Sequence, residues 1–281
     1  SAADIAKFSS TQIGLLAPGQ LAGLTATALS ALNSTAIQTL ASSQVGALTA
    51  TQLAGLSATD LGEFTSTQIG ELSAAQVGHV SATAFAAFSS TQIGLLSTTQ
   101  AKGLTATQFA GLNATDLSGL TSTQLGVLGA AQLNGLSTAN TALLTTTQLD
   151  GLSATQLGGL AASRLSALSS TQVQSLTTTQ LGGVTATQLK TLSSADFGEF
   201  TSTQVEALSA AQLGGLSNTN LQSLTATEVQ ALSSTQLGGL KAAQLGGLTT
   251  TGIGELTSTQ IGQLTGAQVA GINATGFSAL T

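Results

Sequence analysis

Thr65–Leu72 reads TSTQIGEL, and the rest of the chain repeats this eight-residue pattern. The preceding copy is SATDLGEF at 57–64, the following copy is SAAQVGHV at 73–80, and the frame holds from residue 1 to residue 280. The 281 residues therefore contain 35 octads and one further residue. A short fixed period is typical of solenoids, in which each repeat buries its apolar face against its neighbours. We therefore expect one solenoid domain over residues 1–281.

The positions of the octad, numbered 1 to 8, have the signature of a short capped helix. Position 1 is Ser or Thr in 27 octads and Asn in three more, and position 4 is Gln in 22. This S/T-x-x-Q pattern is a capping box, in which each of the two side chains accepts a hydrogen bond from the other residue's backbone N–H. Glycine collects at positions 6 and 7, as is typical of a helix end. Pro18 stands at position 2, the first helical residue, where proline is favoured.

Positions 5 and 8 are apolar in every octad, with Thr141 the one polar exception. A spacing of three residues places both positions on one face of a helix. In a strand, spacings of three and then five would point to opposite faces unless a corner followed each time. The sequence therefore predicts an all-α solenoid of 35 short capped helices, one per octad, with positions 5 and 8 facing inward. A β-solenoid is the alternative, because threonine is abundant and T-x-T triplets recur, as at 65–67 and 105–107.

Position 4 carries a second, longer period. It is not Gln in thirteen octads, where the residues are Asp4, Ala28, Ala36, Asp60, Ala84, Asp116, Asn140, Arg164, Asp196, Asn220, Glu228, Gly252 and Gly276. Without Ala36 and Glu228, ten intervals separate Asp4 from Gly276, and 272 residues divided by ten gives 27.2 residues, or 3.4 octads. Seven of the eight phenylalanines lie in these eleven octads, with Phe109 the exception. The pattern predicts a superhelix of about 3.4 octads per turn.

Octads that share this period would form one stripe along the solenoid. The candidate contact residues of this stripe are Asp4, Asp60, Glu63, Asp116, Asn140, Arg164, Asp196, Glu199 and Asn220. One interpretation is structural, because Phe fills a wider part of the core and an acidic residue near a helix start interacts favourably with the helix dipole. The other interpretation is a lateral surface that contacts another chain or a ligand. The sequence leaves both interpretations open.

Residue types that carry chemistry are scarce. The chain has no Cys, one His (His79), five Lys and Arg together, and a net charge of −6. Without Cys there is no disulfide or thiolate metal site, and so few cations disfavour binding to nucleic acid. The acidic pairs at 60 and 63 and at 196 and 199 do not supply the six or more oxygens that Ca²⁺ prefers. We expect no enzyme, no catalytic residue, no cofactor and no metal site.

The apolar fraction of 42% raises the question of a membrane protein. No run of apolar residues approaches the length of about 18 that a spanning helix needs, so we expect no membrane insertion. The sequence begins without a recognisable secretory signal, which indicates either a mature chain or a fragment.

The rhythm L-[ST]-x-x-Q-[LIV]-x-x-L, as in LTSTQLGVL at 120–128, resembles octapeptide-repeat regions of large bacterial surface or secreted, adhesin-like proteins. The resemblance covers the whole chain and carries no site residues. It implies export, an extracellular or cell-surface location and a role as a stalk or fibre.

We therefore expect a non-enzymatic extracellular structural protein, either a rod-like filament or sheath subunit or an adhesin spacer. Terminal repeats of a free-standing solenoid usually carry polar caps, whereas the first octad has Ile5 and Phe8 and the last has Phe277 and Leu280. These four residues predict end-to-end stacking on copies of the chain or on flanking repeats. The alternative is a binding module that uses the stripe, including ice binding through threonine arrays.

Overall fold

The computed structural model describes residues 2–280, which form 35 helices and contain no β-strand. Each helix lies within one octad, so that helix αn belongs to octad n. The predicted all-α solenoid of one short helix per octad is confirmed, and the β-solenoid alternative is not the fold of these residues. Ser1, the predicted N-cap of the first octad, and Thr281 lie outside the described residues.

The chain divides into two compact units, Ser1–Gly151 and Leu152–Thr281. The prediction of a single domain over residues 1–281 stays a prediction. The helices of unit 1, α1 to α19, are Ala2–Ile5, Ser10–Gly14, Pro18–Ala22, Ala26–Leu29, Ser34–Gln38, Ser42–Gly46, Ala50–Gly55, Ala58–Gly62, Ser66–Glu71, Ala74–His79, Ala82–Phe85, Ser90–Leu95, Thr98–Gly103, Ala106–Ala110, Ala114–Gly119, Ser122–Gly126, Ala130–Leu133, Thr138–Ala142 and Thr146–Asp150. The helices of unit 2, α20 to α35, are Ala154–Gly158, Ala162–Leu165, Ser170–Ser175, Thr178–Leu181, Ala186–Thr191, Ser194–Phe197, Ser202–Glu206, Ala210–Leu213, Asn218–Gln222, Ala226–Ala231, Ser234–Gly239, Ala242–Gly246, Thr250–Gly254, Ser258–Gln263, Gly266–Gly271 and Ala274–Ser278.

The helices start where the capping box predicts. In octad 16, Thr121 is extended at φ −83° and ψ 156°, and its Oγ1 accepts a hydrogen bond from the Gln124 backbone N–H at 3.1 Å. The Gln124 Oε1 accepts from the Thr121 backbone N–H at 2.8 Å, which closes the box. Pro18 occupies the first turn of α3, as predicted. The extended N-cap separates each helix from the one before, so the chain changes direction at every octad.

Glycines lie at the helix ends, as predicted, but not in the left-handed conformation that often ends a helix. Among residues 2–280, no glycine has a positive φ. Close backbone approach explains them instead: a Cβ on Gly103 would lie 2.0 Å from the Ala74 carbonyl oxygen, and one on Gly183 would lie 1.9 Å from that of Ala154. In both pairs, the end of one helix meets the start of the helix three octads earlier, and no side chain fits between them.

Successive turns of each unit stack through these helix contacts. In unit 1, α10 packs against α13 and α12 against α15, while in unit 2, α27 packs against α30 and α31 against α34. Hydrogen bonds also join each unit's octads to octads four positions earlier, as from Gln124 to Leu96 in unit 1 and from Gln244 to Leu216 in unit 2. A superhelical turn therefore contains between three and four octads, which agrees with the predicted 3.4.

Positions 5 and 8 form the core, as predicted. Leu125 is fully buried, Leu128 is 4% exposed, and the equivalent residues of most octads are buried as well. Thr141, the polar residue at position 5, is also buried, and its hydroxyl donates to the Ser137 carbonyl at 2.9 Å. Two octads have phenylalanine at both positions, and their ring centroids are 5.2 Å apart in unit 1 and 5.5 Å apart in unit 2.

Substitution at one inward position tests this assignment. Leu125→Asp should destabilise the protein by at least about 3 kcal/mol, because it removes buried apolar contacts and introduces a carboxylate into the core. Leu95→Asp is the control, since Leu95 is 59% exposed at position 7, and its effect should stay within about 0.5 kcal/mol. Thermal unfolding followed by circular dichroism measures both, and equal melting curves for the two variants would contradict the inward face.

Candidate functional site

The glutamine at position 4 joins two turns of the superhelix as well as capping its own helix. Besides its capping-box bond, the Gln124 Oε1 accepts from the Thr121 hydroxyl at 3.1 Å. Its Nε2 donates to the carbonyl oxygens of Ile93 and Leu96, four octads earlier, at 2.8 and 2.7 Å. Gln124 is 2% exposed. One buried amide therefore fixes the start of α16 and ties it to the preceding turn.

The same arrangement recurs through both units, and we call its members the glutamine ladder. In each member the Nε2 donates to one or more carbonyl oxygens in the octad four positions earlier. In unit 1 the ladder comprises Gln44, Gln52, Gln68, Gln76, Gln100, Gln108, Gln124, Gln132 and Gln148. In unit 2 it comprises Gln180, Gln188, Gln204, Gln212, Gln236, Gln244, Gln260 and Gln268.

The ladder solves a problem that short helices create. The last four carbonyls of any α-helix lack a partner within the helix, and a helix of four to six residues consists almost entirely of such ends. A glutamine amide offers an acceptor oxygen and two N–H donors, so one side chain can satisfy the N-cap N–H of its own octad and two carbonyls of the preceding turn. Buried polar groups are thereby paired, as protein interiors require.

Sequence reasoning predicted only the local half of this role. The capping box connects residues three apart, whereas the ladder acceptors lie 28 to 31 residues away, as in the bonds of Gln124. One signal was available: position 4 is Gln in 22 octads but Glu in only one, Glu228. Either residue closes a capping box, so the strong preference for Gln indicates that the amide must also donate a hydrogen bond.

The two asparagines at position 4 show what the extra methylene of glutamine provides. Asn220 donates from Nδ2 to the carbonyls of Leu189 and Leu192 at 3.2 and 3.0 Å, so it keeps the bonds to the preceding turn. Its Oδ1 is buried and has no hydrogen-bond partner among the described residues. The shorter side chain reaches the preceding turn and forgoes the capping bond. Asn140 likewise donates to the Leu112 carbonyl at 2.7 Å.

Phenylalanine coincides with loss of the regular ladder bond four octads later. The pairs, with the ring first and position 4 of the later octad second, are Phe8 and Ala36, Phe64 and Gln92, Phe85 with Phe88 and Asp116, Phe109 and Asn140, and Phe197 with Phe200 and Glu228. Gln92 is the one glutamine in this set, and its described hydrogen bonds stay within its own octad. Asn140 retains a bond to one carbonyl of the Phe109 octad.

The geometry of the Phe197 and Phe200 octad suggests the reason. Both rings line a cavity of about 90 Å³ together with Glu228, so ring and later side chain are neighbours between the turns. A phenyl ring is bulkier than leucine and belongs to the residue whose carbonyl would accept the ladder bond. The Glu228 carboxylate accepts instead from the Ser202 hydroxyl at 3.2 Å and from the Thr225 N–H at 2.8 Å. This pairing also accounts for Ala36 and Glu228, which the 27.2-residue series left out.

The candidate contact stripe is only partly at the surface. Asp116 and Asn220 are 3% and 1% exposed, so their side chains cannot contribute to a lateral contact. Asp4 is exposed and forms an ion pair with Lys7 at 3.4 Å. The remaining candidates are half-buried: Asp60, Glu63, Asn140, Arg164, Asp196 and Glu199. Helices of the stripe do pack on each other within a unit, as α8 on α11 in unit 1 and α25 on α28 in unit 2.

The four predicted end residues differ in exposure. Phe8 and Phe277 are 41% and 44% exposed, Leu280 is half-buried, and Ile5 is buried. Both exposed rings are therefore accessible for contact, each on its own unit.

The remaining side chains form no recognisable chemical centre in the described part of the chain. His79 is exposed at the end of α10. Within residues 2–280, no three His, Cys, Asp or Glu side chains are grouped in a way that could hold a metal ion. No helix there is long and apolar enough to cross a bilayer. Neither a protein-family model nor a curated protein matches the chain.

A conservative substitution separates the two roles of the ladder. Gln124→Glu keeps the capping acceptor but removes the donor and places a carboxylate against two carbonyls, so it should lower the free energy of unfolding by about 1–3 kcal/mol. Gln12→Glu is the matched control, because Gln12 closes its capping box but is exposed. Chemical denaturation at low protein concentration measures both, and an equal effect of the two substitutions would contradict a stabilising role for the donor.

Lengthening Asn220 should restore the missing bond. Asn220→Gln should stabilise unit 2 by about 0.5–1.5 kcal/mol, because the added methylene lets one amide reach both the Ser217 N–H and the preceding turn. Asn140→Gln should bring no such gain, since its preceding turn contains Phe109. Thermal unfolding compares the two variants. A gain at residue 140 as large as at residue 220 would disprove the proposed conflict between ring and ladder.

The paired acids predict a small pH effect. Burial, and secondarily the neighbouring Asp60, raise the pKa of Glu63 above its ordinary value, and burial together with Asp196 does the same for the pKa of Glu199. A folded-state pKa above the unfolded one means that folding is most favoured when the group is protonated, and that this contribution is lost as pH rises through the folded pKa. Glu63→Gln should therefore raise stability at pH 7 by less than about 1 kcal/mol, and the difference should vanish below about pH 4. Melting temperatures from pH 3 to 8 test this, and a difference that grows at low pH would contradict it.

Proposed function

We propose that this chain is a non-enzymatic structural protein of the cell surface or extracellular space, serving as a filament or sheath subunit or as an adhesin spacer, and that it stacks end to end. The observation that carries the proposal is the glutamine ladder. The side chains that recur from octad to octad have roles in the stack: Ser and Thr cap the helices, Gln joins the turns, and Leu, Ile and Val fill the core. The repeat therefore encodes an architecture that can be extended by adding octads.

The exposed rings of Phe8 and Phe277 support the end-to-end part of the proposal. Rings of this size are normally covered in the core or at an interface, because burial of an aromatic side chain is strongly favourable. Elsewhere in the chain, phenylalanines such as Phe85 and Phe109 are buried between turns of a unit.

The binding-module alternative has less support from the described residues. Two stripe members, Asp116 and Asn220, are buried. The position 1 hydroxyl in many octads also accepts from a backbone N–H and donates to glutamine, as that of Thr121 does, so it is not a free ice-binding group.

Electron microscopy of the purified full chain tests the structural role. Negative staining over a range of protein concentrations should show particles that lengthen with concentration while their width stays constant, because new copies add at the ends. Sedimentation velocity on the same samples should show a matching increase in mass. A chain that remains a single-copy particle at all concentrations would contradict self-stacking.

Location needs its own test. Antibodies raised against the chain should label intact cells of the source organism, or its surrounding medium. Labelling that requires cell lysis would contradict an extracellular role, whatever the assembly state.

A further inference from the structure

Two groups of octads have ladder or core side chains that are exposed or half-buried in the described part of the chain. The leading face comprises the described residues of octads 1 to 4, 2–32 in unit 1, and the trailing face comprises octads 32 to 35, residues 249–280 in unit 2. On the leading face, Gln12 and Gln20 close their capping bonds at 2.8 Å, as ladder glutamines do. Both are nevertheless exposed, whereas ladder members such as Gln44 and Gln52 are buried. Their amide nitrogens are accessible to further acceptors.

The leading face also has a hollow. A cavity of about 340 Å³ is lined by Asp4, Ile5, Phe8, Gly23, Leu24, Thr25 and Ala28. An apolar cavity of about 150 Å³ is enough to hold benzene, so this one has room for a phenyl ring. Ala28 stands at position 4, where most octads have a glutamine.

The trailing face has the complementary features. Ile261, Leu264 and Val269 occupy positions 5 and 8 but are only half-buried, unlike most of their counterparts within the units. Carbonyls at positions 5 and 8 are the usual acceptors of the ladder, as those of Ile93 and Leu96 are. Phe277 is 44% exposed at position 5 of the last octad.

We propose that the trailing face of one copy docks on the leading face of a second copy in the register that continues the octad count, so that octad 1 of the second copy takes the place of a thirty-sixth octad. The inference rests on the end-to-end stacking of the proposed function and specifies its contacts. Octads 2 and 3 then lie four octads after octads 33 and 34. Gln12 donates to the carbonyls of Ile261 and Leu264, and Gln20 to those of Val269 and Ile272.

The position of phenylalanine selects this register. Octad 4 lies four octads after octad 35, so Ala28 meets Phe277 and the ring enters the cavity beside it. This repeats the pairing found throughout the chain, in which a phenylalanine octad is followed four octads later by a position lacking a regular ladder bond, as with Phe8 and Ala36. Octads 33 and 34 contain no phenylalanine and are matched by glutamines. Asp4, at position 4 of octad 1, is not needed as a ladder donor in this register. Asp60, at position 4 of octad 8, is likewise not a ladder donor in unit 1, and it accepts from the Ser30 hydroxyl at 2.8 Å.

A second copy is the occupant that these features fit. The docking surface continues an interface that already joins turn to turn inside each unit, with the same donors, acceptors and apolar positions. The partner therefore needs carbonyl oxygens, spaced by one octad, that accept from the two glutamines, and it needs an aromatic residue in a fixed place. The trailing face of this same chain provides both.

Substitutions at the leading face test the register by sedimentation of the full chain. Ala28→Gln should weaken self-association by at least about tenfold, because the longer side chain fills the space that Phe277 enters. Adding Phe277→Leu to the same chain should restore association, because a glutamine then meets a leucine octad as it does in the ladder. Gln12→Glu with Gln20→Glu should weaken association by a similar factor through loss of the donors. Ala54→Gln is the control, since Ala54 is exposed and lies outside the leading face.

The outcomes separate this inference from the general proposal. Loss of association in Ala28→Gln, its recovery with Phe277→Leu and no change in Ala54→Gln would support the register. Association that is unaffected by Ala28→Gln and by the paired glutamine substitutions would overturn the register while leaving a stacking structural protein. Discrete dimers whose formation is unchanged by all leading-face substitutions would indicate side-by-side contact and would also overturn the register. A wild-type chain that stays monomeric would overturn both. Circular dichroism of each variant verifies that it is folded.

Discussion

The structure depends on a recurring buried glutamine amide that forms hydrogen bonds to two octads at once. A glutamine oxygen closes the start of its own helix, and the nitrogen of the same group donates to carbonyls one superhelical turn earlier, as at Gln124. Helices of four to six residues are far too short to be stable in isolation. Their unpaired carbonyls would carry a desolvation cost of about 1–3 kcal/mol each if buried without partners. The ladder removes that cost at the point where turns meet, which lets a repeat of eight residues build a packed core within each unit.

The exceptions define how strictly the arrangement holds. Asparagine keeps the inter-turn donor and loses the capping bond, so the buried Asn220 Oδ1 has no hydrogen-bond partner in the described part of the chain. Phenylalanine adds volume between turns and is accompanied by a position 4 residue that lacks the regular glutamine tie, as with Phe197 and Glu228. These features occur at fixed distances from each other along the chain. At a small number of positions in a nearly uniform repeat, one register of turn on turn therefore fits better than the registers shifted from it. That register information is what a low-complexity repeat otherwise lacks.

Local physics made much of this fold predictable from the sequence. The capping box, the position of Pro18 and the spacing of apolar residues each act over fewer than eight residues, and they predicted the helices and their inward faces. Interactions over a full turn could not be predicted in the same way. The donor role of Gln124 depends on carbonyls 28 and 31 residues away, and Gly103 is required by the approach of the Ala74 carbonyl rather than by a left-handed turn. Asp116 was placed in a surface stripe from its period alone, but the superhelix buries it.

Hydrogen exchange of the glutamine side-chain amides, measured by NMR on ¹⁵N-labelled protein, tests the ladder most directly. The Nε2 hydrogens of Gln124 and Gln244 donate to backbone carbonyls in the core, so we expect them to exchange orders of magnitude more slowly than those of Gln263, which is exposed. Exchange of Gln124 and Gln244 as rapid as that of Gln263 would show that the amides do not join the turns, and would contradict the central role of the glutamine ladder.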